Sequence, residues 1–398
     1  MTYGGDDRGR RMPPQRPPSG RSRQHQPAQM MPLPGRGSSP YDERTRPMGN
    51  RGDERPAGPP PRRPEPPQGR PMEGGRPPRK RRWGFGRVLL TLLTVFVVFL
   101  AGVWVYLEFS INRVDALSGI DGRPAAAEGT NWLIVGSDSR DGLTPEEQKN
   151  LATGDSKAAG GGRLTDTIMI AHLPDNSTKP TLLSLPRDSQ VKIPGHGTSK
   201  INSAFSIGGP KLLTQTVEGA TGLRIDHYAE IGFGGFAKIV DAIGGVNMCV
   251  EKPMEDTYTG IKIPAGCQDL DGRSALGFVR MRHSDATPRS DLDRVANQRK
   301  FIGALVGEIG SPGTLLNPFT LFPLLSNGSA SLTMDSGDHV HNLVGLALAM
   351  RGISSGGVVT TTVPVTNGSA ENWDKTKSKL LFDALKNDTV IPDSAILT

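Results

Sequence analysis

Arginine and aspartate recur just outside apolar runs at three places in this chain. Trp132-Leu133-Ile134-Val135-Gly136 is followed by Ser137-Asp138-Ser139-Arg140, and Arg163-Leu164-Thr165-Asp166 precedes Ile168-Met169-Ile170. Thr181-Leu182-Leu183-Ser184-Leu185 leads into Pro186-Arg187-Asp188. Short apolar runs of this kind read as buried strands. Sheets of α/β proteins bind ligands in the crevice at their strand ends, so the spacing predicts that these charges converge. Several guanidiniums with two or three carboxylates suit a phosphate-rich ligand held with a divalent cation. Further along, Phe278-Val279-Arg280-Met281-Arg282 places two arginines at period two, on one face if the run is extended. Asp291, Arg294 and Gln298 share a helical face, with Val295, Phe301, Ile302 and Leu305 on the buried side. Bidentate arginine is the usual recogniser of phosphate oxygens. Taken singly, each arginine also reads as a surface ion pair, Asp291 and Arg294 being an ordinary helical pair. Their joint placement with the strand-end residues favours a ligand.

The elements that must position these groups begin after a long polar segment. Residues 1–86 hold more than half of the 34 Pro, mixed with Gly, Gln and Arg and almost no aliphatic residues. Such a segment buries too little apolar surface to offset its ordering entropy, so a disordered tail is expected. From Val88 to Tyr106 the chain is almost uninterruptedly apolar, about the length needed to cross a bilayer. A transmembrane helix over 87–108 is expected. A cleavable signal is the competing reading, but the preceding segment is far longer than a signal n-region, and Ala125-Ala126-Ala127 lies well beyond the apolar run. Arg79-Lys80-Arg81-Arg82 and Arg87 abut the start of the span, which places the tail in the cytoplasm and the rest outside. Through Arg87 the chain carries 20 Lys+Arg against 8 Asp+Glu, so of the net +7 the outer part keeps about −5. The basic character belongs to the tail, and no nucleic-acid partner is expected for the outer domain.

Only Cys249 and Cys267 occur, both on the outer side. They read as one disulfide rather than a metal pair or catalytic thiol, since neither a C-x-x-C nor a His at ligand spacing accompanies them. Residues 109–130 read as a linker. From 131 to 396, short apolar runs alternate with helical periodicity and no break in composition occurs, so one α/β domain is expected. The expected architecture is a single α-β-α layered domain with a central mixed sheet, preceded by one transmembrane helix and the tail. Residues 141–163 read as a mobile loop and the Pro-broken stretch 311–327 as an irregular connection. The glycines of Gly232-Phe233-Gly234-Gly235 fit no nucleotide fingerprint and read as turn and close-packing residues.

The order of the blocks strongly resembles the LytR-CpsA-Psr family of membrane-anchored cell-wall glycopolymer ligases, in its actinobacterial form. The matching text is Gly136-Ser137-Asp138-Ser139-Arg140, Asp166-Thr167-Ile168-Met169, Ser184-Leu185-Pro186-Arg187-Asp188, Ile193-Pro194-Gly195 and Lys200-Ile201-Asn202. It continues with Gly208-Gly209-Pro210, Ile225-Asp226-His227-Tyr228, Val240-Asp241-Ala242-Ile243-Gly244-Gly245-Val246, Val279-Arg280-Met281-Arg282 and Asp291-Leu292-Asp293-Arg294. The resemblance implies transfer of a polyprenyl-diphosphate-linked glycopolymer to a peptidoglycan hydroxyl, with release of polyprenyl phosphate. It implies that Asp138 and Asp166 hold Mg²⁺ on the diphosphate. Arg140, Arg163, Arg187, Lys200, Arg280, Arg282, Asp291, Arg294 and Gln298 would form the substrate site, Arg187 acting at the reacting centre with the two aspartates. The polyprenyl chain would lie between the sheet and the helices of 204–243, beside Phe205, Leu213, Phe233 and Phe236. Two departures bear on the arginine count. The family often has Arg two positions before the second metal carboxylate, where this chain has Leu164, and Arg immediately before Gln298, where it has Asn297. Rival readings are a hydrolase built on Ser137, His283 and Asp285, a metal site at His339 and His341, and a non-catalytic membrane-anchored lipid- or wall-binding regulator.

Overall fold

The computed structural model describes residues 84–140, 143–153, 164–256, 260–281, 284, 287, 291–366 and 370–397. The expected disordered tail up to residue 83 lies outside them. Helix α1 (Phe85–Ser110) is long and apolar enough to cross a membrane. Three residues of the expected linker do more than connect. Asn112–Val114 forms β1, which pairs in parallel with β12 (Leu332–Asp335) at the edge of the main sheet. The chain then runs through β2 (Thr130–Ser137), α2 (Pro145–Asn150), β3 (Thr165–Leu173), β4 (Thr181–Leu185) and the hairpin of β5 (Gln190–Ile193) and β6 (Gly197–Lys200). There follow α3 (Ser203–Thr221), β7 (His227–Gly232), α4 (Phe233–Ala242), β8 (Val246–Val250), β9 (Met254–Asp256), β10 (Ile261–Ile263) and β11 (Gly266–Leu270). The remainder is α5 (Gly272–Arg280), α6 (Asp291–Ile309), α7 (Pro312–Leu315), α8 (Pro318–Ser331), β12, α9 (Val340–Met350), β13 (Val359–Thr362) and α10 (Lys375–Lys386).

The central sheet has the order β1-β12-β7-β2-β3-β4-β13. It is mixed: β2 pairs antiparallel with β3 and parallel with β7, and β3 pairs antiparallel with β4. Its inner strands β2, β3 and β4 carry continuous apolar runs because both faces are covered, while successive side chains still alternate between faces. Leu133, Val135, Ile168, Ile170, Leu183 and Leu185 pack with Leu213 and Val217 of α3 and Leu381 and Leu385 of α10. Trp132, Met169, Ala171 and Leu182 point the other way, against Leu346 and Met350 of α9. The result is a helix–sheet–helix sandwich. A separate apolar cluster joins α4, α5, α6 and the short strands β8 to β11 through Val240, Leu270, Ala275, Phe278 and Phe301. Cys249 and Cys267 sit opposite each other on β8 and β11 and are disulfide-bonded.

Two local expectations are corrected. The stretch 311–327 is largely helical, because Pro312 and Pro318 sit at helix starts, where the missing N–H costs nothing, and Ser311 and Asn317 cap them. The run Phe278–Arg280 is the last turn of α5, not a strand, with Asp271 capping the helix through Ser274 N–H. Met281, which follows it, is extended, and Arg280 is presented by a helix end, so the period-two argument for its face fails.

Candidate active site

The strand directions gather one set of residues at a single edge of the sheet. Ser137, at the C-terminal end of β2, lies opposite Thr165 at the start of β3 and Gly232 at the end of β7. Leu185, at the end of β4, lies opposite Ile168. Asp138, Ser139 and Arg140 leave β2 there, Asp166 stands at the second position of β3, and Arg187 and Asp188 follow β4. Gly232 is required by a close approach, since a Cβ on it would come within 2.9 Å of Ser139 O. Phe233 N–H donates to that same carbonyl at 3.2 Å, which fixes the start of α4 against the β2 exit.

The register between β2 and β3 shifts at Gly136/Ser137, and such a bulge re-aims the next side chain. Asp138 N–H donates to Leu164 O at 2.9 Å, and Leu164 N–H donates back to Asp138 Oδ1 at 2.7 Å. Leu164 thus serves Asp138 through its backbone alone, which does not depend on its side chain. Arg187 Nη1 donates to Asp166 Oδ1, and its Nε lies 3.5 Å from Asp188 Oδ2. Lys200 Nζ binds the other Asp188 oxygen at 2.8 Å, so Asp188 links Lys200 to Arg187. The Lys200 ammonium, held by that carboxylate, has its pKa raised.

Arg280 reaches the same edge from α5. Its guanidinium carbon lies 4.5 Å over the ring of Phe233, and Nη1 donates to Ala152 O at 3.3 Å. Arg140 Nη2 donates to the next carbonyl, Thr153 O, at 2.6 Å. Ala152 holds φ of 50°, the left-handed region that a non-glycine residue adopts at a cost. These two carbonyls brace two cations, within the stretch 141–163 whose composition predicts one mobile loop. Thr144 and Glu147, which form a capping box at the start of α2, were the available signal of order there.

The electrostatics agree with convergence. Burial raises the Asp138 carboxyl pKa, and the negative charge of Asp166 adds to it, while Leu164 N–H and Arg140 oppose. Burial lowers the Arg280 pKa, with Arg140 adding and the carboxylates of Asp166, Asp256 and Asp138 opposing. Two mutually repelling carboxylates with hard oxygen donors fit Mg²⁺. That ion is commonly held by one or two carboxylates plus substrate phosphates, rather than by an all-protein cage. No cage of three or more His, Cys, Asp or Glu side chains occurs among the described residues.

The other predicted residues fall in different places. Arg163 and Arg282 lie outside the described residues, as do His283, Asp285 and the side chain of Asp291. Arg294 and Gln298 are among the buried residues, at 2% and 5% exposure, so α6 is covered on the face read as ligand-facing as well as on the apolar one. Gln298 Nε2 donates to Val279 O at 3.2 Å, bracing the turn that carries Arg280. The four expected lipid-tunnel residues are divided: Phe205 and Leu213 belong to the sheet-face core, Phe236 packs 5.2 Å from Phe301, and Phe233 underlies Arg280. Ser137 is fully buried. His339 binds Glu108 at 2.8 Å and stacks on His341, at the junction with α1 rather than at the charged edge.

The model of the LytR_cpsA_psr family matches residues 108–390, which takes in the whole sheet and its charged edge. This chain belongs to the LytR_cpsA_psr family. The probable cell wall biosynthesis protein LcpB of Corynebacterium glutamicum is 51% identical over 307 residues, covering 76% of this chain and 70% of that protein. Among solved structures, the LytR-Csp2A-Psr enzyme from Actinomyces oris superposes with a TM-score of 0.54 at 22% identity, over 70% of this chain and 96% of that one. TagT, solved as "TagT bound to LIIa-WTA", superposes with a TM-score of 0.50 at 21% identity, over 69% of this chain and 99% of that one. At these identities the structural likeness speaks for the family fold.

Proposed function

We propose that this LytR_cpsA_psr protein is a cell-wall glycopolymer ligase: a Mg²⁺-dependent phosphotransferase that moves a polymer from a polyprenyl diphosphate to a peptidoglycan hydroxyl. The observation that carries this reading is the meeting of Asp138 and Asp166 with Arg140, Arg187 and Arg280 at one sheet edge. Membership of the family and a relative named for cell wall biosynthesis support it. So does α1, which would anchor the domain at the surface where such donors reside, with the basic residues 79–82 on the cytoplasmic side.

Phosphoryl transfer asks a protein mainly for positioning and charge stabilisation. Asp138 and Asp166 would hold the cation, which neutralises diphosphate charge when bound. Arg187, oriented by Asp166 and Asp188, supplies a planar donor pair to phosphate oxygens. Arg280 and Arg140, braced by the carbonyls of residues 152 and 153, add further charge. The acceptor oxygen forms its bond to the glycan-side phosphorus as the bridging P–O bond breaks, and polyprenyl phosphate leaves with those electrons. Asp138 and Asp166 are the cluster's carboxylates able to take the acceptor proton. A diphosphatase side reaction follows when water replaces the acceptor.

The test is transfer by the full chain in lipid vesicles from a polyprenyl-diphosphate-linked oligosaccharide to peptidoglycan fragments, with and without Mg²⁺. Asp138→Ala and Asp166→Ala are expected to abolish Mg²⁺-dependent turnover while the fold persists. Donor binding without turnover under every condition would leave the non-catalytic lipid-binding reading in its place.

A further inference from the structure

From Ile309 to Met334 the chain carries no charged residue, although 22% of its residues are charged overall. This stretch forms α7 and α8, and its largest apolar side chains stand in the open: Leu316 is 81%, Phe319 86% and Phe322 70% exposed. The helix is anchored from behind. Leu324 is buried in the cluster of α4, α5 and α6, and Asn317 caps the helix start through Phe319 N–H at 3.0 Å. Exposed phenylalanines on an anchored, uncharged helix mark an interaction surface.

The sheet topology tells which way that surface faces. β1 and β12 pair in parallel, with Asn112 opposite Thr333. Helix α1 runs directly into β1, and α8 runs directly into β12. Both helices therefore enter the sheet from the same side, and they touch each other on the way. Asn112 Nδ2 locks their ends together by donating to Ala330 O at 2.9 Å. Counting back from Ser331, Phe319 lies about 18 Å up α8, on the side from which α1 arrives. Helix α9 also touches α1 and adds Val344 and Leu348, which are 45% and 65% exposed.

We propose that the face formed by α7 and α8 is a second membrane contact, seated in the headgroup and acyl boundary of the bilayer that α1 spans. The occupant is the lipid surface because the patch continues from the membrane helix itself, lacks charge throughout, and leads with phenylalanine and leucine, the side chains that partition into that boundary. Two contacts, one spanning and one interfacial, fix the tilt of the domain, where a single helix alone would leave it free to turn. The strand-end site then keeps a constant height and orientation over the bilayer. This inference rests on α1 as a span and is independent of the reaction assigned above.

The experiment places a nitroxide on Phe319→Cys in the full chain, reconstituted in phosphatidylcholine–phosphatidylglycerol vesicles. Cys249 and Cys267 are bonded to each other and leave the new thiol free to label. Val97→Cys, within α1, reports the span, and Lys386→Cys, exposed on α10, reports water. The readout is the ratio of collisions with oxygen, which concentrates in lipid, to collisions with a water-soluble nickel chelate. The ratio at 319 is expected to be several-fold above that at 386 and to approach that at 97. A ratio at 319 equal to that at 386, with 97 reporting lipid, overturns the proposal. Dipolar broadening at 319 overturns it in favour of a second copy of the chain. A water-like ratio at 97 removes the span and this inference together, while transfer activity remains open to its own test.

Discussion

Replacing Arg280 by Gln distinguishes a phosphate contact from a structural arginine, because the surroundings of Arg280 set opposite expectations for the two. The substitution removes a stacked cation over Phe233, worth roughly 0.5–2 kcal/mol in general. It also removes one long hydrogen bond to Ala152 O, worth about 0.5–1.5 kcal/mol. Against these losses, it relieves a guanidinium whose charge burial and Arg140 both disfavour. The opposing effects leave a net change within about 1 kcal/mol, the usual size for a single substitution, or a shift in Tm of no more than about 4 °C. Turnover should behave differently. A charge-assisted bond to diphosphate contributes about 1.5–3 kcal/mol, so transfer should slow by roughly ten- to a hundredfold. Arg280→Lys should fall between, since Lys keeps the charge without the planar fork. The assay pairs melting of the ligand-free chain with the transfer rate from a lipid-linked donor. Wild-type turnover with a clearly lowered Tm would refute the argument and make Arg280 a packing residue.

Asp138→Asn should change how stability depends on pH in the absence of metal. The raised pKa of Asp138 means that the folded state binds this proton more tightly than the unfolded chain does. Its contribution is therefore present below the ordinary carboxyl range and is lost as pH climbs through the raised value. Asn keeps an oxygen for Leu164 N–H, so the variant should melt higher than wild type at neutral pH and the two should converge in acid. Parallel Tm–pH curves would contradict this. Cys249→Ser with Cys267→Ser opens a disulfide of sequence separation 18 and should cost about 3 kcal/mol of stability with transfer unchanged. Loss of turnover at unchanged Tm would instead give the cysteines a chemical role.

The strand-borne part of the site was legible because the signals for it are local. Runs such as Ile168-Met169-Ile170 are apolar at every position only if both sheet faces are covered, and both are. Strand order and pairing then carry Asp138, Asp166 and Arg187 to one edge. The helix-borne part depends on tertiary docking and read less well. Phe278-Val279-Arg280 has the composition of a strand, and burial of Phe278 and Ala275 in one cluster with Phe301 overrides that preference. The only local hint was Asp271 three residues before Ser274, a helix cap. A single helix projection shows Arg294 and Gln298 on one polar face and does not show that both are buried. In the structure α6 is packed on several sides, with Phe301 in one core cluster and Ile302 in another.

This division has a consequence for how the site is built. The sheet supplies both carboxylates together with Arg187 and Arg140, positioned by strand register and by backbone bonds such as Leu164 N–H to Asp138. Arg280 comes from a separate apolar cluster and is held to the sheet edge by few direct ties: the Phe233 ring and Ala152 O. Gln298 braces Val279 within that second cluster, so α6 sets the height of Arg280 without touching the edge itself. Helix α6 also ties that second cluster to the sheet, since Arg299 Nη1 donates to Thr362 Oγ1 of β13 at 2.9 Å and Ile302 packs in the cluster on the α9 face.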